Sequence, residues 1–355
     1  MKNAKKKTSC PQRGTFGDEL NKALAQEGKW GSIMDYVRKN RDKYDVQVRA
    51  NYLNIYYNGG NILCIKPRSL SVDEFYFHLD VTGDHKTRKT IIQENAKKGV
   101  EEAKEIINKL QKQKEDYLRP IKEGYAKPDV VKQYFENMSK QMDKWEKKLF
   151  DVVVKPTEKE KLPEIEYPER DIYHKEKFIQ QKISLTNHSF DRSDLIILDV
   201  EFAVSDLAKY SSDNYTHPRF DMIAVDRDRR IHVLELKYGL NATGIDNLGV
   251  SASDIEGHVA KFQATVGGDN YKDFINDIRV VVSAKRDLEL LNFEISDEKP
   301  IFDIVYAEPS EGNKEKVIKF IKDKVNNEEI KVKNIWLINT LKGYNLTNKN
   351  KVYEH

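Results

Sequence analysis

The sequence predicts an α/β protein: a mixed sheet flanked by helices, preceded by an α+β region and a long helical hairpin. Three observations carry this expectation. Between residues 195 and 239 three apolar, β-branched runs follow one another, the mark of buried strands. Between residues 92 and 149 apolar residues recur at steps of three and four, the helical period. Ahead of both, residues 44–66 join aromatic, alternating segments through Asn58-Gly59-Gly60-Asn61, which is turn chemistry.

In chain order, residues 18–25 and 32–43 have helical spacing. Residues 44–57 (YDVQVRANYLNIYY) alternate and are rich in Tyr and Val, so they read as one strand. Residues 62–66 return as a second strand, and residues 74–79 (EFYFHL) supply a third. Apolar or small residues at 92, 96, 100, 103, 107 and 110 form one helical stripe; those at 131, 135, 138, 142, 145 and 149 form another. Tyr125-Ala126-Lys127-Pro128 is the turn between them. Such stripes pack on each other and on a core. Lysines on the outer faces leave open an arm that grips DNA or makes a homodimer, although Glu101, Glu102 and Glu105 interleave there. Pro156, Pro163 and Pro168, set among alternating charges, mark a linker. The expected organisation is residues 1–90 as an N-terminal α+β region with a β-hairpin, 91–150 as the helical hairpin, 151–168 as linker and 169–355 as the domain that carries chemistry.

Within that last domain, residues 171–183 (DIYHKEKFIQQKI) read as a short helix and 195–204 (LIILDVEFAV) as a strand. Ser253 and Glu256 have capping-box spacing and open a helix over 254–265. Residues 278–283 (IRVVVS) read as a buried strand. Residues 301–306 and 335–339 are strands around a helix over 314–324, and the chain ends in a polar tail.

The stretches 219–226 (RFDMIAVD) and 231–239 (IHVLELKYG) flank the charged segment Arg227-Asp228-Arg229-Arg230 and predict a β-hairpin. Asp221, Glu235 and Lys237 sit inside it. An ionised group in an apolar run is costly unless it is paired or binds a metal. With a loop over 227–229, Asp226 pairs with Arg230 and Val225 with Ile231, so Asp221 falls opposite Glu235, with Cβ atoms roughly 4.5–5.5 Å apart. Lys237 shares the face of Glu235. A slip of one residue turns Asp221 to the other face. Two carboxylates that close repel, and a divalent cation or the lysine must compensate.

Asp221 together with Glu235-Leu236-Lys237 resembles the signature of the PD-(D/E)XK nuclease superfamily, which has a restriction-endonuclease-like fold. A Pro often stands just before the family's aspartate; here Pro218 is separated from Asp221 by Arg219 and Phe220. The order helix, strand, strand, strand, helix, strand over residues 169–285 is similar to the family's common core. By that resemblance Asp221, Glu235 and the Leu236 backbone carbonyl hold Mg²⁺ or Mn²⁺. Lys237 then orients or activates the attacking water and steadies charge on phosphate. The chemistry implied is metal-assisted phosphodiester hydrolysis.

Four further positions are candidate accessories. Glu176 lies on the first helix of the core, where many family members carry a metal- or water-linked glutamate; the other reading is a solvated helix charge. Glu201, on the strand beside the hairpin, is a further acidic ligand or a solvent-facing edge residue. His258 and Lys261 are three apart on the second helix and share a face. His258 then touches phosphate or Lys237, or lies on the surface. Some relatives pair a Gln there with a Tyr four residues on; Gln263 is followed at that spacing by Gly267, so that subclass is not supported.

Composition bounds the rest. Hydrophobic content of 39% and a mean hydropathy of −0.73 are low for a compact enzyme, while 10% aromatics argue against disorder. The net charge of +3 advertises no bulk nucleic-acid binder; the basic run is local, in residues 1–7 (MKNAKKK). Cys10 and Cys64 show neither metal spacing nor a disulfide framework, which suits a reducing cytoplasm. No run approaches membrane-spanning length, and no Walker loop, dinucleotide glycine pattern or serine elbow is present. The expectation is a cytoplasmic, metal-dependent nuclease acting on DNA, in defence or repair. Its rival is an inactive nucleic-acid-binding or scaffold protein that keeps the nuclease fold.

Overall fold

The computed structural model describes residues 13–77, 85–154, 170–204, 219–238, 255–266, 271–308, 315–316, 318–319, 322–323, 332–340 and 342–354. The basic run at 1–7, Cys10, linker residues 155–168, Pro218 and the Ser253–Asp254 cap lie outside them. The fold is mixed α/β. The chain divides into two compact units, one of residues 1–17, 47–51 and 182–355, the other of residues 18–46 and 52–181.

The second of these begins with α1 (Asp18–Leu24) and α2 (Gly31–Lys39). A four-stranded sheet follows in the order β1 (Asp45–Arg49), β2 (Tyr52–Tyr57), β3 (Gly60–Ile65), β4 (Leu70–Ser71), of which residues 47–49 of β1 are counted with the other unit. The expected single strand over 44–57 is thus two strands. Asn51 takes φ 56 and turns the chain, a conformation Asn tolerates, and the side-chain alternation conceals the break. The turn between β2 and β3 is as expected, with Asn58 at φ 42 and Gly59 at φ 78, the double positive φ of a tight hairpin. The third strand is β4, not residues 74–79: Glu74–Phe77 is a 3-10 helix that buries Phe75 and Phe77, and residues 78–79 lie outside the described range.

Three helices come next: α3 (His85–Lys97), α4 (Glu101–Gly124) and α5 (Pro128–Val154). The stripe over 92–110 is therefore cut, at Gly99, whose φ is 90; Val100 is left 44% exposed instead of packing. The turn over 125–128 stands where expected. On α5 the stripe is core: Val131, Phe135, Met138, Met142 and Trp145 are buried. Phe135 stacks on Tyr36 at 5.0 Å, and Tyr134 donates its hydroxyl to the Ile62 carbonyl at 2.8 Å. Helix α6 (Arg170–Thr186) runs across the boundary between the units.

The other unit is built on a six-stranded sheet. Its strands are β5 (Ile196–Ala203), β6 (Arg219–Val225), β7 (Ile231–Tyr238), β8 (Ile301–Glu308), β9 (Asn334–Asn339) and β10 (Lys351–Glu354), ordered β10-β9-β8-β7-β6-β5. β5, β6 and β7 form an antiparallel meander; β7, β8 and β9 are parallel; β10 returns antiparallel on β9. The polar tail expected at the C-terminus ends in that edge strand. Helix α7 (Ile255–Val266) and helix α8 (Tyr271–Asp287) connect β7 to β8.

Residues 278–283 are inside α8 and are not a strand. The β-branched run favours a strand locally, but Phe274, Ile275, Ile278, Val281, Val282 and Lys285 are all buried, which is helical spacing over a longer window. Phe274 meets Phe202 at 5.8 Å and Phe220 at 5.7 Å, so α8 packs on the sheet face carrying those rings. Phe262 of α7 meets Phe302 at 5.2 Å. Phe302 is paired with Val233, two residues from Glu235, so α7 covers the opposite face. Within 314–324, residues 315–316, 318–319 and 322–323 are helical, and the others lie outside the described range.

Candidate active site

The hairpin register is the one the sequence implies. Val225 pairs with Ile231 and Met222 with Leu234; one step further, Asp221 stands opposite Glu235. The turn has no glycine, and Arg229 takes φ 69 in its place. Its guanidinium lies 4.4 Å from the Phe293 ring centroid and 5.1 Å from that of Phe190, contacts that hold it there. Asp226 closes the turn, accepting the Arg230 N–H on Oδ1 at 2.9 Å.

Asp221 is half-buried, and its Oδ2 accepts the Leu236 N–H across the ladder at 2.9 Å. Glu235 and Lys237 are buried on one face of β7, and the lysine Nζ donates to Glu235 Oε1 at 2.8 Å. From α7 the His258 Nδ1 comes within 2.9 Å of Glu235 Oε2. The distance is that of an ion pair, yet the angles are not those of a hydrogen bond, and both atoms are buried without a hydrogen-bond partner. Burial alone raises the Glu235 pKa, but Lys237 and His258 outweigh it and hold the carboxyl down at about 2. Glu235 is therefore ionised at neutral pH.

Lys261, one helical turn after His258, places Nζ 3.5 Å from the Arg219 carbonyl. α7 thus presents both of its candidate residues to the strands, whereas Gln263 is exposed. Glu201 takes φ 54 within β5. Counting between the pairs Val200–Met222 and Phe202–Phe220 puts it across from Asp221. Its Oε2 is 2.9 Å from the Arg219 guanidinium. Glu176 is half-buried on the part of α6 that belongs to the other unit.

The donors present fit a hard divalent cation. Two carboxylates in register, one with a buried oxygen that lacks a hydrogen bond, are the oxygen set that Mg²⁺ or Mn²⁺ prefers. Among the described residues no three His, Cys, Asp or Glu side chains are grouped as a metal site.

Two buried charge networks escaped the sequence reading. His232 Nδ1 lies 2.7 Å from Asp303 Oδ2 and its Nε2 3.1 Å from Asp226 Oδ2. Asp303 also accepts hydrogen bonds from Asn334 and from the Trp336 indole. Burial opposes a charge on His232, but the two carboxylates prevail and lift its pKa to about 9. The signal was available: His232 and Asp303 are charged residues inside apolar runs, as Asp221 and Glu235 are. At the sheet edge, Asp199 is 1% exposed and takes Arg13 on Oδ2 and Arg49 on Oδ1, each at 2.7 Å. Burial raises its pKa, and Arg49, Arg13 and Lys285 more than reverse that, leaving it lowered. Those partners are 186 and 150 residues away in sequence, so no local pattern marks them.

No protein-family model, no curated protein and no solved structure matches the chain.

Proposed function

We propose that the chain is a metal-dependent nuclease of the PD-(D/E)XK type, cleaving phosphodiester bonds of DNA. The observation that carries this reading is the buried Glu235–Lys237 pair on β7, in register with Asp221 and covered by His258. The element order supports it too: α6, β5, β6, β7 and α7 run as the resemblance implies, and the strand that follows is β8, after the additional helix α8.

Asp221, Glu235 and the Leu236 carbonyl are the groups that would hold Mg²⁺ or Mn²⁺. The chemistry such an ion supplies is a lowered pKa for water and an offset for charge developing on phosphorus. The residues do the rest. Glu235, ionised at neutral pH, holds the Lys237 Nζ at a fixed position on the face. From there Lys237 donates to the attacking water or to a phosphate oxygen. The Leu236 N–H fixes the Asp221 carboxylate, which lowers the reorganisation needed when substrate arrives. Burial of Glu235 and Lys237 keeps bulk water from screening those charges. No helix among the described residues is long and apolar enough to cross a membrane.

One observation favours the rival, a nucleic-acid-binding protein without turnover: Lys237 and His258 already occupy both carboxylate oxygens of Glu235. Turnover separates the two. Purified protein with Mg²⁺ should nick or degrade DNA and be silenced by a chelator. Lys237→Ala should lower the rate by about 100-fold or more with little loss of DNA affinity, because the interaction is made in the reaction and not in substrate holding. Intact DNA alongside measurable binding would transfer the proposal to the rival.

A further inference from the structure

Along the β6 residues that share the face of Asp221, exposure rises toward the start of the strand. Along β6, Val225 and Ile223 are buried, Asp221 is half-buried and Arg219 is exposed. These four alternate residues share one face. The Arg219 side chain, 53% exposed, is the outermost of them, and it pairs by charge with Glu201, itself 22% exposed. Lys261 reaches the backbone of the same residue from α7. Deeper on that face Glu235 is contacted by Lys237 and by the His258 imidazole. Among the described residues the outer group brings two cations, Arg219 and Lys261, to one carboxylate, Glu201.

We infer that Arg219, with Lys261 beside it, is the phosphate-docking group of the nucleic-acid substrate, and that Glu201 positions Arg219 and is not a metal ligand. The inference rests on the nuclease reading for the identity of the substrate. Arg219 precedes Asp221 by two residues along an extended strand, roughly 7 Å. At that separation its guanidinium addresses a phosphate neighbouring the one held at Asp221, not the same one. A planar guanidinium suits this task because its fork takes two phosphate oxygens at once. The carboxylate of Glu201 would otherwise be free to join Asp221, which it faces across the ladder. Its pairing with Arg219 commits it elsewhere and keeps the long arginine side chain ordered before substrate arrives, which reduces the entropy lost on binding. Being exposed, the pair is weak enough for phosphate to displace the carboxylate.

The test is fluorescence anisotropy of the full chain with labelled duplex DNA and, in parallel, labelled single-stranded RNA, with Ca²⁺ in place of Mg²⁺ to suppress turnover. Arg219→Ala should weaken binding about tenfold and reduce the dependence of log affinity on log salt by about one. Arg219→Lys should keep the salt slope and lose part of the affinity, which also shows that the strand tolerates replacement. Glu201→Gln should tighten binding several-fold, because a negative charge beside phosphate is removed, and should leave Mn²⁺ affinity unchanged. Wild-type affinity and salt slope in Arg219→Ala would overturn the inference, as would loss of Mn²⁺ binding in Glu201→Gln. A chain that binds through Arg219 and cleaves nothing overturns the nuclease reading alone. A chain that cleaves while Arg219→Ala binds normally overturns the inference alone, and one that binds no nucleic acid overturns both.

Discussion

Glu235 Oε2 and His258 Nδ1 stand 2.9 Å apart in a buried face, and neither is in a hydrogen bond. Together with the Lys237 contact, this approach holds the Glu235 carboxyl down at about 2 despite its burial.

Metal binding is the direct check. Isothermal calorimetry with Mn²⁺ should show one binding event in the wild type. Asp221→Asn and Glu235→Gln should each abolish it or weaken it by about tenfold or more, as expected when a charged ligand is lost from an oxygen site. Undiminished heat in both variants would remove these residues from the metal cradle. His258→Gln should retain binding, because the imidazole is not in the ligand set.

The His232 network predicts a stability change on the alkaline side. The folded-state pKa is raised from 6.5 to about 9, so its stabilisation is complete below about pH 6.5 and lost as pH rises through about 9. At 1.36 kcal/mol per pH unit the effect is on the order of 3 kcal/mol. Urea denaturation across that window should show the fall, and His232→Gln should flatten it. An unchanged slope in the variant would assign the alkaline loss to other groups.

Asp199 predicts a coupling. Removing one arginine leaves a buried carboxylate short of charge, which costs about 3–5 kcal/mol. Arg49→Ala should therefore destabilise strongly, and Arg49→Ala combined with Asp199→Ala should cost much less than the sum of the two. Additive losses in chemical denaturation would mean that the pair is not the source. The same imbalance should make a fragment beginning at Tyr167 prone to aggregate, since it lacks both Arg13 and Arg49.

The hairpin was legible because two local rules agree: a charged break between β-branched runs fixes the turn, and period 2 then fixes who faces whom. Asp221, Glu235 and Lys237 follow from that alone. His258 and Lys261 needed only the helical step of three, once a helix was placed after β7. The errors arise where local and longer windows disagree. Ile278 to Ser283 looks like a strand by side-chain type, and only Phe274, Ile275 and Lys285 beyond it reveal the helical face. Asn51 and Gly99 break their segments without disturbing the apolar pattern on either side. Glu201 was visible as a charge, but its pairing with Arg219 depends on a strand register and a positive φ that no sequence rule supplies.

The way the chain divides has a consequence for synthesis. Residues 18–46 and 52–181 leave the ribosome together and can settle as they emerge. The unit carrying the charged hairpin draws on residues 1–17 and 47–51, made early, and on residues 182–355, made last. Arg49 must therefore wait through 150 further residues before Asp199 exists to receive it. Contacts this distant in sequence form slowly. Until β5 is translated, Arg13 and Arg49 lack the Asp199 carboxylate that receives both.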